Sequence, residues 1–227
     1  MRYIVLDTET TGLEPEDGHR ITEIGCVELI NHVPTGRTFQ QYVNPEREVS
    51  ETALEISGLS NDFLKDFPLM KDVIGPFLAF IGEDALVIHN AKFDMKFLNA
   101  ELTWANYPLL AKNTIIDTLE LARQKFPGAP ASLDALCKRF HIDNSKRIKH
   151  GALLDAEILA EVYIELIGGR QNSFFGSSGQ AKKTHFTQPT ARRRDTAINR
   201  DFKATETELS LHNTFIKKEI KDPLWRA

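Results

Sequence analysis

The chain lacks several features that define common classes of protein. Its 227 residues include only two cysteines, Cys26 and Cys137, which are too few for a zinc cluster. Both stand in apolar patterns, so we expect reduced core cysteines, as in a cytoplasmic protein. No apolar run is long enough to cross a membrane, and the N-terminus has no basic region followed by an apolar one, so no signal peptide is predicted. The expectation is a cytoplasmic protein with no membrane partner.

Positive charge is scarce in most of the chain. Residues 1–169 carry 16 Lys and Arg against 26 Asp and Glu, a net charge of −10, whereas residues 170–227 carry a net charge of +6. A region this acidic lacks the excess of positive charge that is typical of a strong nucleic-acid binder. If it acts on a phosphodiester, cations must screen its carboxylates and a partner must deliver the substrate.

The chain also lacks a glycine-rich phosphate loop and any serine or cysteine in the setting of a nucleophile. What it has instead is an apolar run at residues 3–12 that ends in hydroxyls and a glycine, which predicts a buried strand and a turn. Alternate strand residues share a face, so Asp7 and Glu9 are predicted to project from one side, about 7 Å apart. A solvated strand end is one interpretation of this pair, and a divalent cation held by both is the other.

The order of the remaining elements predicts the fold class. Short turns, one of them around Pro34, join the first three strands and suggest an antiparallel meander. Short buried strands then alternate with amphipathic helices. We predict an α/β fold over residues 1–169, with a mixed sheet and helices on both sides. The predicted strands after the first are 21–30, 38–43, 85–89 and 114–116.

Two further carboxylates and a histidine stand at predicted helix starts. Asp94 borders the core face of the helix that follows residues 85–89. Asp155 lies on the apolar stripe of the helix at 151–167, and His150 precedes that helix. Singly, each has an ordinary explanation as a cap or a surface residue. Together they are predicted to meet the first strand at one edge of the sheet.

Carboxylates gathered at one edge of a sheet suit a site for two cations. Two Mg²⁺ ions (or Mn²⁺) about 4 Å apart, sharing Asp7, would clamp the attacking and leaving oxygens of a phosphodiester. His150 would take the proton from the attacking water, since histidine titrates near neutral pH.

Three segments resemble, in order and spacing, the exonuclease motifs of the DEDD superfamily: residues 7–13, 89–94 and 150–156. A histidine rather than a tyrosine before the last aspartate matches its DEDDh branch. Within that branch, residues 132–140 and 143–145 resemble the proofreading subunits of bacterial replicative DNA polymerases. The resemblance covers residues 1–169 closely and the tail weakly.

The resemblance implies a ribonuclease H-like fold and 3′→5′ exonuclease activity on DNA. Asp7, Glu9 and Asp155 would ligate the metals directly. Asp94 would contribute through water, with His150 as the general base. Ser57 stands where the family often has a histidine. The residues implied to contact the 3′-terminal nucleotide are Asp7, Glu9, Thr10, Ile56, Ser57, His89, Asn90, Phe93 and Asp155.

The tail changes composition and is predicted to be a flexible linker at residues 170–203 followed by a polymerase-binding segment at 204–227. Thr205 and Glu208 predict the cap of a late helix. The resemblance implies that the linker docks a short peptide in the groove of a sliding clamp; the alternative is a linker that happens to contain two Phe. The last segment would bind the polymerase alpha subunit, and the resemblance leaves room for a further small subunit. The clamp-binding residues would be Gln171, Ser173, Phe174 and Phe175.

Two other functions share many of these observations. An RNA-trimming exonuclease of the same superfamily would have every catalytic residue, but it would need neither the linker nor the basic tail. A non-catalytic subunit that bridges polymerase and clamp would not need all five catalytic positions filled. We therefore predict a metal-dependent exonuclease that releases 5′-monophosphates from a frayed or single-stranded DNA 3′ end.

Overall fold

The computed structural model describes residues 1–145, 147, 149–168 and 205–219. The chain forms two units, one containing the described residues up to 168 and the other those from 205 onward. The predicted linker at 170–203 lies outside the described residues, and so does its clamp peptide with Gln171, Ser173, Phe174 and Phe175. No described helix is long and apolar enough to cross a membrane.

A five-stranded mixed sheet forms the centre of the first unit. Its strands are β1 (Arg2–Thr10), β2 (Ile21–Ile30), β3 (Val33–Tyr42), β4 (Ala85–Ile88) and β5 (Ile115–Asp117). Their order across the sheet is β3-β2-β1-β4-β5. β1, β2 and β3 pair antiparallel, whereas β4 pairs in parallel with β1 and with β5. The predicted meander and mixed sheet are confirmed.

Helices cover both faces of the sheet. Those described in the first unit are α1 (Glu51–Ser57), α2 (Asn61–Leu64), α3 (Met70–Ile81), α4 (Ala91–Trp104), α5 (Thr118–Lys125), α6 (Leu133–Phe140) and α7 (Ala152–Leu166), together with a 3-10 turn at Pro15–Asp17. Tyr3 and Val5 of β1 pack in one core with α5, α6 and α7. Ile4 and Leu6 pack in a second core with α3 and α4. The alternation along β1 therefore places the strand between two cores, as its sequence predicts.

The turn predicted around Pro34 lies elsewhere. Asn31 and His32 form the two-residue turn between β2 and β3, with φ of 51° and 65°. Two positive φ values in sequence are typical of the type I′ hairpin turn, which suits the twist of paired strands. Pro34 instead belongs to β3, where its missing N–H is tolerated because β3 lies at the edge of the sheet.

Other sequence expectations are met. Cys26 and Cys137 are buried and free. In the second unit the described helix is α8 (Glu206–Glu219). Its start is the predicted capping box: the Thr205 N–H donates to Oε2 of Glu208 at 2.8 Å, and the Glu208 N–H donates to the Thr205 hydroxyl at 3.3 Å.

Candidate active site

The site lies where β1 extends beyond β4. The register pairs β4 with β1 only as far as Val5, so β4 leaves the far half of β1 unpaired along that edge. Asp94, in the first turn of α4, takes up this edge: its Oδ1 accepts the Thr8 backbone N–H at 3.1 Å and the Thr8 hydroxyl at 2.8 Å. The carboxylate thus satisfies a backbone donor that a neighbouring strand would otherwise pair. It also brings Asp94 to the end of β1.

The N-terminus of α7 reaches the site because β2 lets it approach closely. A Cβ on Gly25 would lie 2.2 Å from the carbonyl carbon of Ala152. Glu23 on the same strand is 1% exposed, and its Oε2 accepts the backbone N–H of Ala152 at 3.0 Å. This contact caps α7, whose first backbone amides would otherwise lack partners. Asp155, in the first turn of α7, is thereby held beside β1.

Ten of the eleven residues predicted for the active site line one cavity of about 700 Å³. Within it, ligand atoms of Glu9, His150 and Asp155 lie within 4.8 Å of one another. The predicted residues in its lining are Asp7, Glu9, Thr10, Ile56, His89, Asn90, Phe93, Asp94, His150 and Asp155.

The Ser57 side chain bonds within its own segment of the chain. It is buried, and its hydroxyl donates to the Ala53 carbonyl at 2.9 Å and accepts the Leu59 N–H at 3.2 Å. It is not among the described residues that line the cavity, whereas its neighbour Ile56 is. The hydroxyl is bonded inside α1 and the turn that follows, and the contact of Ser57 with substrate stays a prediction.

Burial and mutual repulsion make three of the carboxyls hard to ionise. Burial raises the pKa of Asp7 well above its usual range, and the charges of Asp94 and Glu9 add to the effect. Burial, followed by the charge of Asp155, raises the pKa of Glu9 to about 8. Burial also raises the pKa of Asp94 to about 7, although the hydrogen bonds from Thr8 oppose the shift. A site with this charge distribution favours a bound cation.

Comparison with known proteins identifies the family. The family model described as Exonuclease, RNase_T, matches residues 4–163. DNA polymerase III subunit epsilon of Rickettsia felis is 47% identical over 224 residues, covering 97% of this chain and 98% of that protein. The subunit of the same name from Escherichia coli K12 is 41% identical over 238 residues, covering 100% of this chain and 98% of that protein.

The chain belongs to the DNA polymerase III subunit epsilon family. The resemblance found in the sequence is thereby confirmed. Membership of the epsilon family makes the chain a metal-dependent 3′→5′ exonuclease with a proofreading function.

Solved structures show the same fold. Exonuclease X in complex with 5′ overhanging duplex DNA has a TM-score of 0.59 and 27% identity, covering 74% of this chain and 92% of that chain. The nuclease domain of 3′hExo, a DEDDh family member, bound to rAMP, has a TM-score of 0.63 and 22% identity, with the same two coverages. Both likenesses support the predicted ribonuclease H-like architecture.

Sequence reasoning missed Arg147 and Asp134, which also line the cavity. Arg147 donates to both carboxylate oxygens of Asp155, from Nε to Oδ1 and from Nη2 to Oδ2 at 2.7 Å. Burial alone would raise the pKa of Asp155, but hydrogen bonds from His150 and Arg147 outweigh it and lower the pKa. The sequence signal for Arg147 was its position, three residues before His150. Since the loop around it is rich in charged residues, that position alone does not distinguish Arg147 from a surface residue.

Asp117 holds in place the segment that carries His89 and Asn90, which line the cavity. Its carboxylate accepts the backbone N–H groups of Asn90 at 3.1 Å and Ala91 at 3.0 Å, and it also caps α5. Asn90 adopts φ of 61°, a left-handed conformation that asparagine tolerates. Nδ1 of His89 lies 2.9 Å from the Thr118 hydroxyl. Burial lowers the pKa of His89.

The donor set fits divalent cations. Its carboxylate oxygens are the ligands that Mg²⁺ and Mn²⁺ prefer. The exonuclease superfamily depends on divalent metals, and this acidic cluster is where the chain would hold them.

Proposed function

We propose that this chain is the proofreading 3′→5′ exonuclease subunit of a replicative DNA polymerase, with its chemistry in the cavity at the end of β1. One observation carries the proposal: residues from β1, α4 and the start of α7 meet in a single cavity. They are Asp7, Glu9, Asp94, His150 and Asp155.

The carboxylates would hold two Mg²⁺ or Mn²⁺ ions. Asp7, Glu9 and Asp155 are the direct ligands, and Asp94, whose Oδ1 is already bonded to Thr8, acts through water. When bound, the ions supply stabilisation of the negative charge that develops on the phosphoryl oxygens. The raised pKa values of Asp7, Glu9 and Asp94 are consistent with carboxylates that need this positive charge to ionise together.

His150 is the general base. Its side chain is 45% exposed and faces the cavity from the loop before α7. Water attacks the phosphorus of the terminal phosphodiester, and its proton passes to the imidazole. The bond from phosphorus to the 3′ oxygen of the preceding nucleotide breaks, which releases a deoxynucleoside 5′-monophosphate.

The substrate is a single-stranded or frayed 3′ end. Ile56 is 44% exposed and lines the cavity with Phe93, so the two offer apolar surface to the terminal base. Thr10, His89 and Asn90 supply polar groups around it. A mispaired terminus frays more readily than a paired one, so selectivity for errors needs no reading of base identity.

Partners would guide the DNA to this acidic body. Residues 204–227 are proposed to bind the polymerase alpha subunit, since α8 exposes Leu209, Leu211 and Phe215. Residues 171–175 are proposed to bind the sliding clamp, and a further small subunit on the first unit stays a prediction. A role in replication would place the protein in the cytoplasm.

The test uses the full chain on a 3′-mismatched DNA primer and on RNA of equal length, with Mg²⁺ or EDTA. We expect Mg²⁺-dependent release of deoxynucleoside monophosphates, reduced by roughly 10²-fold or more in His150→Ala. Preference for RNA would favour the RNA-trimming function. A folded chain that degrades neither substrate and takes up no Mn²⁺ would favour the bridging subunit.

A further inference from the structure

Three histidines line the cavity within the described part of the chain: His19, His89 and His150. The proposed reaction uses His150 as the base and His89 as a polar group beside the terminal base. His19 belongs to the loop between β1 and β2, and its partly buried ring lines the cavity from that side. It is therefore a polar group of the active site that the proposed chemistry does not use.

The His19 ring is held in place by two neighbours. Its Nδ1 lies 3.0 Å from the hydroxyl of Thr11, a residue that is fully buried. The ring also packs directly on Gly12, where a Cβ would lie 2.3 Å from Cε1 and 2.4 Å from Nε2. Any side chain at position 12 would push the imidazole away, so the glycine makes room for this ring.

The hydrogen bonds of Thr11 decide which nitrogen of the His19 ring carries the proton. The Thr11 hydroxyl oxygen accepts the backbone N–H of Arg20 at 3.0 Å. Its own hydrogen has one acceptor within the described residues, Nδ1 of His19, and a buried hydroxyl without an acceptor is costly. Thr11 therefore donates to Nδ1, and the imidazole proton lies on Nε2. A doubly protonated ring would also carry a hydrogen there, so Nε2 is a donor in either charge state.

Nε2 of His19 is open to the cavity. No described residue forms a hydrogen bond with it, since the contact of this ring is the one through Nδ1. It is also not a buried polar atom without a partner; in the described part of the chain those are the Thr22 hydroxyl and Nδ1 of His32. An N–H that is held in place and has no protein acceptor is available to a ligand.

The position of His19 favours the 3′-terminal nucleoside as that ligand. Thr10 lines the same side of the cavity, beyond the carboxylates of β1 that are proposed to hold the metals. The Ser50 backbone N–H donates to the Thr11 carbonyl at 3.2 Å, which joins the start of α1 to this turn. α1 also carries Ile56, the proposed contact of the terminal base. We therefore expect a donor on this turn to meet the terminal nucleoside.

We propose that His19 is a substrate-binding residue whose Nε2–H donates to a hydrogen-bond acceptor of the 3′-terminal nucleoside. The inference rests on the proposed function of the cavity. Two acceptors have the required chemistry: the oxygen of the 3′ hydroxyl, and the acceptor atom that each base presents on its minor-groove edge. Both are present whichever base ends the strand. The contact would thus bind any terminus, which suits an enzyme that removes all four nucleotides.

The test uses two substitutions in the full chain, each of which keeps one half of the imidazole. His19→Asn retains a polar atom at the position of Nδ1, so Thr11 keeps a partner while the Nε2 donor is lost. His19→Gln retains an amide near the position of Nε2 and gives up the Thr11 contact. His141→Asn is the control: His141 is exposed at the end of α6, outside the described cavity lining, with φ of 58°, which asparagine tolerates.

KM and kcat are measured with Mg²⁺ on a 3′-mismatched primer, together with the Tm of each variant. For His19→Asn we expect KM to rise about fivefold with kcat within about twofold, because the lost contact weakens binding. His19→Gln should keep KM within about twofold of the wild type, although its Tm falls by about 2 °C or more because the buried Thr11 hydroxyl loses its acceptor. His141→Asn should match the wild type in all three quantities.

Two altered primers identify the acceptor. One ends in a 2′,3′-dideoxynucleotide, which lacks the 3′ hydroxyl, and the other ends in an abasic residue, which lacks the base. The effect of His19→Asn on KM should vanish on the primer that lacks the acceptor. An effect that persists on both primers would overturn the proposal, because the contact would then lie outside the terminal nucleoside.

A His19→Asn chain with the KM of the wild type would also overturn the proposal, and impaired binding in His19→Gln alone would show that His19 only supports the turn. If His19→Asn does not fold, His19→Phe replaces it, since a ring keeps the packing on Gly12 without the donor. A wild-type chain that releases no nucleotide with Mg²⁺ is a different result, since it contradicts the proposed function itself.

Discussion

Oδ1 of Asp94 accepts two hydrogen bonds from Thr8, one from the backbone N–H at 3.1 Å and one from the hydroxyl at 2.8 Å. The two bonds join the start of α4 to the unpaired half of β1. They fix the carboxylate in one orientation before any ligand binds. A proposed metal ligand that acts through water depends on such support for its geometry.

Thr8→Val tests this support, because valine keeps the shape and removes the hydroxyl. We expect exonuclease activity to fall by about tenfold or more, with weaker Mn²⁺ binding. Thr22→Val is the matched control: Thr22 is buried on β2, and its hydroxyl has no hydrogen-bond partner within the described part of the chain. That change should leave activity unchanged and stability equal or higher. Equal activity in the two variants would contradict a role for the Thr8 hydroxyl.

Gly25→Ala should damage fold and activity together. The new Cβ would lie 2.2 Å from the backbone of Ala152, so the start of α7 must move away from β2. We expect a loss of about 2 kcal/mol or more in the free energy of unfolding, measured in urea, and lower activity as Asp155 shifts.

Gly75→Ala provides the contrast. Gly75 lies inside α3, and a Cβ there would meet nothing within 4 Å. Alanine is the better helix former, but Pro76 follows directly and disfavours a Cβ in the helical conformation at the preceding residue, so stability should change by less than about 1 kcal/mol with activity unchanged. A Gly25→Ala chain as stable and active as Gly75→Ala would show that the close approach of α7 is not required.

The cation-free chain should become less stable as pH rises. The pKa of Glu9 is raised from 4.5 to about 8 and that of Asp94 from 3.8 to about 7. A carboxyl with a higher pKa in the folded state keeps its proton longer when folded, so its contribution is present below the unfolded pKa and lost as pH rises through the folded one. The free energy of unfolding in EDTA should therefore fall between about pH 4.5 and 8, with Glu9 contributing at most about 5 kcal/mol.

Urea unfolding in EDTA at several pH values measures this slope. Glu9→Gln should flatten it, since the variant has no carboxyl to titrate at that position. Saturating Mg²⁺ should also reduce the slope, because bound cations take the place of the protons on the carboxyls. Stability that rises with pH across this window would show that the carboxyls are not crowded as described.

Much of the fold and of the site follows from local sequence patterns. Alternation along β1 predicts that Asp7 and Glu9 share a face, and helical spacing places Asp94 and Asp155 beside core residues. Each of these inferences needs only the residues next to the one in question. The element order then predicts the mixed sheet that brings the three elements together.

Contacts between residues far apart in the chain could not be predicted from the sequence. Glu23 caps a helix 129 positions later, at Ala152, and no local pattern marks it. Arg147 lies in a loop, where periodicity gives no direction for a side chain. Ser57 occupies the position expected from the family, but its hydroxyl finds partners inside α1 and the following turn.

The number of cations held by the full chain tests the central claim most directly. Calorimetric titration with Mn²⁺ should show two ions per wild-type chain. Asp7→Asn, which removes the carboxylate proposed to bridge them, should bind fewer ions and lose nucleotide release from a mismatched primer. A wild-type chain that degrades the primer while binding no ion, or an Asp7→Asn chain with full binding and activity, would contradict the account.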